Sequence, residues 1–388
     1  MLIIGGSKIK VTIITNYPPI QGRLSEYALN LIDELQKCPT VSHIDIITEK
    51  ISGQDKVTLL NDKVTLHRIW RSNNPLTFFL VLRKIMSINA DIVHFNVHMA
   101  VFGQSRISNF FGLSLPFICR TIGFKTVTTL HNLVDKIDLE KTGYKDNFIN
   151  RLSAFLVTKL IASSSAVTLT MKSHTAYFKE KYNCKNAITI PHGTWKNNSS
   201  NPKQICKSES ILYIGHSGPY KDIDLLLGAF NILEKKNRRL KLIFAGAAHP
   251  NYPNFLDKYK KINSYENILF TGYVPEDQLQ TLFEKSNAVI LPYRMCTGTS
   301  GIAHLASSYG TPIVATDLPE FRELAKEGCG LLISAHRPQA LADKIEEIID
   351  NPKLALELKE RNINFANSRS WNIVASHFCS LYEELLDR

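Results

Sequence analysis

No apolar run in the 388 residues reaches the ~20 needed to span a bilayer, so a membrane-spanning helix is not expected. The opening stretch, MLIIGGSKIKVTIITNYPP, lacks a basic segment leading into a long apolar core; it reads as a first strand rather than a secretory signal. Cysteines are few and scattered: Cys38, Cys119, Cys184, Cys206, Cys296, Cys329 and Cys379 form no Cys-x-x-Cys pair and are odd in number. That excludes a disulfide framework or structural zinc as the organising device and points to a reducing compartment. An Asp-x-Asp triplet that could hold a metal-bound diphosphate is also missing near the glycine-rich loops. His43-Ile-Asp45 carries one carboxylate, and Asp222-Ile-Asp224 sits at a helix start, where capping is the expected use. No aromatic-basic ladder accompanies the basic residues, which argues against a nucleic-acid partner.

Acidic residues are scarce in one half only. Residues 1–192 hold 23 Lys and Arg against 13 Asp and Glu, so nearly all of the net charge of +11 lies there. A basic half suits an anionic partner such as phospholipid headgroups or lipid-linked phosphates; drift in a Lys-rich sequence would look the same. Three stretches in that half are both apolar and basic: Phe78–Lys84, Phe110–Arg120 and Arg151–Lys159. Each alone reads as a core-facing helix. With the charge, they predict a cytoplasmic protein resting peripherally on an anionic membrane surface.

Short β-branched runs alternate with amphipathic segments along the chain. Strands are expected at 10–15, 43–48, 64–69, 91–95, 126–130, 166–170 and 187–190, and helices after Gly22 and over 78–88, 110–118 and 151–161. Residues 196–210 (KNNSSNPKQICKSES) are polar and aperiodic and read as a linker. The alternation then restarts with strands at 211–215, 240–246, 267–271, 287–292 and 313–316. The prediction is an α/β protein with two doubly wound, parallel-sheet domains of Rossmann type: 1–195, then linker 196–210, then 211–365, with a last helix in 366–388.

Leu291–Asp317 (LPYRMCTGTSGIAHLASSYGTPIVATD) reads as strand, small-residue loop, helix, strand. Free backbone N–H groups and the positive end of the helix dipole meet in such a loop, which suits phosphate; an ordinary βα turn has the same pattern. Ligands in doubly wound folds bind at strand C-termini. This selects Gly22-Arg23, His94, His131-Asn132, Pro191-His192-Gly193, Gly215–Lys221, Gly246, Tyr293 and Thr297–Gly301 as candidates.

These segments, in order, resemble a two-domain GT-B glycosyltransferase, closest to the retaining glycosyltransferase family 4. PPIQGR resembles its N-terminal glycine loop, DIVHFN and VTTLHN its histidine-bearing strand ends, and TIPHGT the strand end before its linker. IGHSGPYKDIDLLLGAF resembles its diphosphate-binding segment; IFAGAA, LFTGYVPEDQL, SNAVILPY and GTPIVATD follow in family order. SWNIVASHFCSLYEELL resembles a C-terminal helix that returns to the N-terminal domain.

The resemblance implies a nucleotide diphosphate sugar as donor, no separate cofactor and no metal. It makes His131 and Thr297 the residues beside the transferred sugar, with Gly22, His216, Lys221, Gly246, Tyr293, Thr299, Ser300 and Gly301 on the donor and its phosphates. Arg23, His94 and Asn132 fall on the acceptor side, and the implied acceptor is a lipid-linked or polymeric glycan. His216 stands where the family has a basic residue, usually Arg, so the diphosphate is expected to rest more on Lys221. The family's paired glutamates are replaced by Thr297 and Leu305, and no Asp or Glu lies between Tyr293 and Asp317. Two alternatives stay open: a sugar-nucleotide-binding pseudoenzyme or partner subunit, and a GT-B phosphorylase or epimerase.

Overall fold

The computed structural model describes residues 8–20, 22–136, 140, 145–195, 210–236, 239–249, 251–261, 267–296 and 298–388. The expected linker lies outside the described residues except for Ser210, which opens a strand, and Thr297 lies outside them too. The chain divides into two compact units: Met1–Lys136 with Asp146–Gly193 and Trp371–Arg388, and Ile137–Lys145 with Thr194–Ser370.

The first unit runs β1 (Ile9–Ile14), α1 (Arg23–Leu35), β2 (Val41–Glu49), β3 (Val57–Asn61), β4 (Val64–Trp70), α2 (Thr77–Ile88) and β5 (Ile92–Val97). It continues through α3 (Arg106–Thr121), β6 (Lys125–Leu130), α4 (Phe148–Ala162), β7 (Ala166–Leu169), α5 (Lys172–Tyr182) and β8 (Ala187–Thr189). The sheet order is β3-β4-β2-β1-β5-β6-β7-β8. Every pairing is parallel except β3 with β4, so the sheet expected to be wholly parallel carries an antiparallel edge strand. Its residues are nearly all exposed, so burial imposed no apolar run by which to read it.

From β1 the chain steps one way to β2, whereas β4 to β8 steps the other way. Right-handed crossovers therefore put α1 on one face of the sheet and α2, α3, α4 and α5 on the other. The core between sheet and helices is built on Val93, Phe95, Leu113, Val157 and Val167. Trp70 and Phe102, both fully buried, meet edge-on at 5.3 Å. Each such side chain contributes roughly 1.5–3 kcal/mol by leaving water.

The second unit runs β9 (Ser210–Ile214), α6 (Ile223–Lys235), β10 (Lys241–Ala245), α7 (Asp257–Lys260), β11 (Ile268–Gly272), α8 (Glu276–Glu284), β12 (Ala288–Leu291) and α9 (Gly301–Ser308). β13 (Ile313–Thr316), α10 (Pro319–Lys326), β14 (Leu331–Ser334), α11 (Pro338–Asp350) and α12 (Pro352–Asn367) complete it. Its six strands are all parallel, in the order β11-β10-β9-β12-β13-β14. The last helix, α13 (Trp371–Asp387), packs on α1 in the first unit, while residues 366–370 stay with the second. The two units are two doubly wound α/β sheets, as the alternation predicts.

Candidate functional site

In the second unit, β9 and β10 end in glycines held at φ +114° and +119°. A Cβ on Gly246 would lie 2.3 Å from the Gly215 carbonyl oxygen, so both the conformation and the spacing require glycine there. The loop after Gly215 carries His216 and Lys221. His216 is exposed, whereas Lys221 is only 5% exposed. The Lys221 ammonium stands over three tyrosine rings, at 4.8 Å from Tyr293, 5.3 Å from Tyr213 and 5.9 Å from Tyr220. An isolated bridge pairs the Lys221 and Tyr293 backbones, so strand β12 fixes where that ammonium sits. Aromatic faces stabilise a cation without neutralising it.

Asp222, next in sequence, is occupied elsewhere. It caps α6 by accepting from the Leu225 N–H at 3.0 Å, and its other oxygen meets His336 at 2.7 Å and Arg294 at 2.9 Å. Burial alone would raise its pKa; the Leu225 N–H, His336 and Arg294 outweigh it and hold the carboxyl below its ordinary value. Asp222 is the cap expected from the sequence.

Ser300 is the N-cap of α9, its hydroxyl accepting from the Ala303 N–H at 3.3 Å. Among the described residues, the amides of Thr299, Ser300 and Gly301 have no partner within the protein, as the first N–H groups of any helix lack one inside the helix. The Thr299 hydroxyl is taken up by a neighbour in its own segment, 2.8 Å from Nε2 of the buried His304. Leu305 is half-buried and packs into the core around Ile302 and Phe365. One neighbour was missed by the sequence reading. His249 faces His216 at 6.3 Å, and burial, His216 and Lys221 together lower its pKa. Its ring nitrogen Nδ1 accepts from the Asn251 N–H at 3.1 Å, leaving Nε2 to donate. A lone His after Ala-Ala carries no pattern that would have marked it.

In the first unit, Gly22 has φ +132° with open space where a Cβ would be, so its backbone angle rather than crowding requires glycine. Arg23, the first residue of α1, is exposed. His131 follows β6 and donates from Nε2 to Asn96 Oδ1 at 2.7 Å; that oxygen must accept, because the Asn96 amide donates to Thr15 at 2.9 Å. The neutral tautomer therefore leaves the lone pair on Nδ1. Tyr27 packs edge-on against His131, His192 and Trp371, at 4.5, 5.3 and 4.9 Å. Gly193 lies flat on Trp371, where a Cβ would come within 2.3 Å of the indole. Asn132 ties two strand ends together by accepting from the Met99 N–H at 3.1 Å.

His94 departs from the acceptor-side expectation. It sits inside β5, fully buried, with Tyr382 and Thr129 hydroxyls each 2.7 Å from its ring nitrogens. Both nitrogens are used to anchor α13 to the sheet, so none remains for an acceptor. His98, four residues on, is the histidine at the strand's end.

Burial holds three of these imidazoles neutral: the pKa of His94 falls to about 3 and that of His98 to about 4, and His131 is pushed well below its ordinary value by burial and then by His192, His98 and His94. The unfolded chain takes up protons at these sites below about pH 6.5 while the folded chain does not, so stability is present above that pH and is lost as pH falls from there towards 4. Each histidine adds a slope of about 1.4 kcal/mol per pH unit in that window. Urea unfolding of the first unit's transition at stepped pH is expected to show this slope, and His94→Gln to reduce it; an identical slope in the variant would remove His94 from the account.

The strand-end glycine pair, the lysine over tyrosine rings and the α9 N-terminus sit on a chain whose fold is GT-B. Residues 196–365 match the model of the family described as Glycosyl transferases group 1. An uncharacterized glycosyltransferase of Methanocaldococcus jannaschii is 28% identical over 177 residues, 45% of this chain and 48% of that one. The chain spans about half the length of the curated relatives it matches. Over nearly the full length the fold is shared with sucrose-phosphate synthase from Thermosynechococcus elongatus (TM-score 0.78, 16% identity, 98% of this chain and 100% of that one). It is shared as well with Anabaena HepE, solved with UDP and glucose (TM-score 0.69, 14% identity, 96% and 99%). The resemblance to GT-B glycosyltransferases read from the motifs thus stands on the family match and on the fold.

Proposed function

We propose that this protein transfers a hexosyl group from a nucleoside diphosphate sugar to an acceptor held by the first unit, with retention of anomeric configuration. The bond between the anomeric carbon and the diphosphate oxygen breaks with its electron pair going to the diphosphate, a bond to the acceptor's hydroxyl oxygen forms, and the proton that hydroxyl loses passes to the departing diphosphate or to water. The observation that carries this reading is the Lys221 ammonium, buried over three tyrosines beside the glycine turn. A fixed cation aimed at a leaving group lowers the barrier because it needs no reorganisation as charge develops. The unused amides at the start of α9 supply a second, side-chain-independent contact for phosphate. His131, with its Nδ1 lone pair, is the residue to accept a hydrogen bond from a sugar hydroxyl.

The acceptor class that fits the basic first half is a lipid-linked or polymeric glycan, used on the cytoplasmic side in glycan assembly. Metal-free chemistry is the reading because Asp222, the one carboxylate beside Lys221 in sequence, is consumed by His336, Arg294 and the α6 cap. A binding-only partner subunit is the second reading, favoured by Leu305 packing into the core where the family has a ribose-binding glutamate.

A panel of nucleotide sugars, assayed for nucleotide release with excess EDTA, tests both. Turnover of at least one donor with full activity in EDTA is expected. Abolition by the chelator would overturn the metal-free claim, and donor binding without turnover on any acceptor would favour the binding-only reading.

A further inference from the structure

Among the described residues, large apolar side chains left in water are concentrated in the first unit, and most of them sit on α2, α3 and α4 or at their ends. Leu76, Phe79, Leu80 and Met86 follow helical spacing along α2, and Phe148, Ile149, Leu152 and Leu156 do so along α4. Between them α3 presents Ile107, Phe111 and Phe117. Phe79 is 65% exposed and Phe148 78% exposed, values that no core-facing position would show. The three helices are neighbours: Phe78 of α2 meets Phe111 of α3 at 6.0 Å, and α3 packs in turn on α4. The sequence reading of these stretches as core-facing is therefore half right. One side of each helix packs on the sheet, and the other is equally apolar and uncovered.

Charge on these helices is of one sign. α2 carries Arg83 and Lys84, α3 carries Arg106 and Arg120, and α4 carries Arg151 and Lys159, with no Asp or Glu in any of them. Asp146, just ahead of α4, pairs with Arg151 at 2.5 Å and is the acidic group facing them from the adjoining chain. A protein partner would be expected to match such a face with specific pockets and mixed charge. An exposed apolar surface fringed by Arg and Lys instead matches an anionic lipid headgroup layer over acyl chains. No described helix is long and apolar enough to cross a membrane, so contact would be from one side.

We propose that the α2–α3–α4 face docks the full chain onto an anionic bilayer, with Phe79, Phe111 and Phe148 entering the headgroup layer and Arg83, Lys84 and Arg106 contacting lipid phosphates. Docking needs no turnover, so its failure leaves the glycosyl-transfer reading standing, and the reverse holds too.

The test is co-sedimentation of the full chain with vesicles of phosphatidylcholine alone, and with about one third phosphatidylglycerol, at low and high salt. Pelleting with the anionic vesicles alone, reduced by salt, is expected. Phe79→Ser/Phe111→Ser/Phe148→Ser should lower vesicle affinity at least about tenfold. Val57→Ser/Leu59→Ser, which removes equally exposed apolar groups from the β3 edge, should leave it unchanged. Undiminished pelleting of the triple variant would overturn the assignment of the face. No pelleting at low salt would overturn docking altogether. A dimer seen by light scattering and split by the triple variant would show that a second copy covers this face instead.

Discussion

Lys221→Ala is expected to weaken nucleoside diphosphate binding by roughly one to two orders of magnitude, while His216→Ala changes it only slightly. A charge-assisted contact is worth about 1.5–3 kcal/mol, and each 1.4 kcal/mol is a factor of ten in affinity. The asymmetry follows from burial. Lys221 is 5% exposed and held over the Tyr213, Tyr220 and Tyr293 rings, so its charge acts at short range with little solvent screening. His216 is exposed, and an imidazole carries only part of a charge near neutral pH. Lys221→Arg should not rescue, because a planar guanidinium does not fit a space shaped around a compact ammonium. Calorimetric titration with nucleoside diphosphates checks this; equal small losses from both alanine variants would mean the phosphate site lies elsewhere.

Asn362→Leu is expected to cost roughly 2–6 kcal/mol of stability, as two or more polar groups lose their partners at ~1–3 kcal/mol each. Asn362 in α12 is completely buried and serves both of its amide atoms fully. Its Oδ1 accepts from the Gly330 N–H at 2.7 Å and from Ser307 at 3.0 Å; its Nδ2 donates to the Thr311 carbonyl at 2.8 Å and the Gly330 carbonyl at 3.1 Å. One side chain thus joins α12 to the end of α9, to the turn before β13 and to the start of β14. The loss reaches function through α9, whose N-terminus holds the unused amides. Urea denaturation followed by tryptophan-independent far-UV circular dichroism measures it. A cost under about 1 kcal/mol would show that the network relaxes or admits water.

The alternation of strands and helices was legible because a parallel sheet covered on both faces demands continuous apolar strands, and these were read within a few residues except β14, the four-residue LLIS. What escaped lacked that signature. β3 is exposed on nearly every residue, α5 (KSHTAYFKEKY) has a weak apolar period, and α12 follows α11 across Asn351-Pro352 with a largely polar surface. In the second unit Lys221 and Tyr293 meet, and Gly246 meets Gly215, all of them in loops that follow strand ends. His94 was misjudged for a physical reason: the strand runs on to Val97, and the partner that buries His94 is Tyr382, far along the chain. The partners of long-range contacts, including His94 with Tyr382 and Tyr27 with Trp371, leave no periodic trace in a single sequence.

On the proposed function, the second unit holds a nucleoside diphosphate through Lys221 and the backbone amides at the start of α9. Calorimetric titration of the full chain with UDP, GDP, ADP and dTDP in excess EDTA tests it most directly. Saturable binding of at least one of them is expected, weakened about ten- to hundredfold in Lys221→Ala and kept in His216→Ala. Absence of binding across all four, in a protein that unfolds cooperatively, would contradict it.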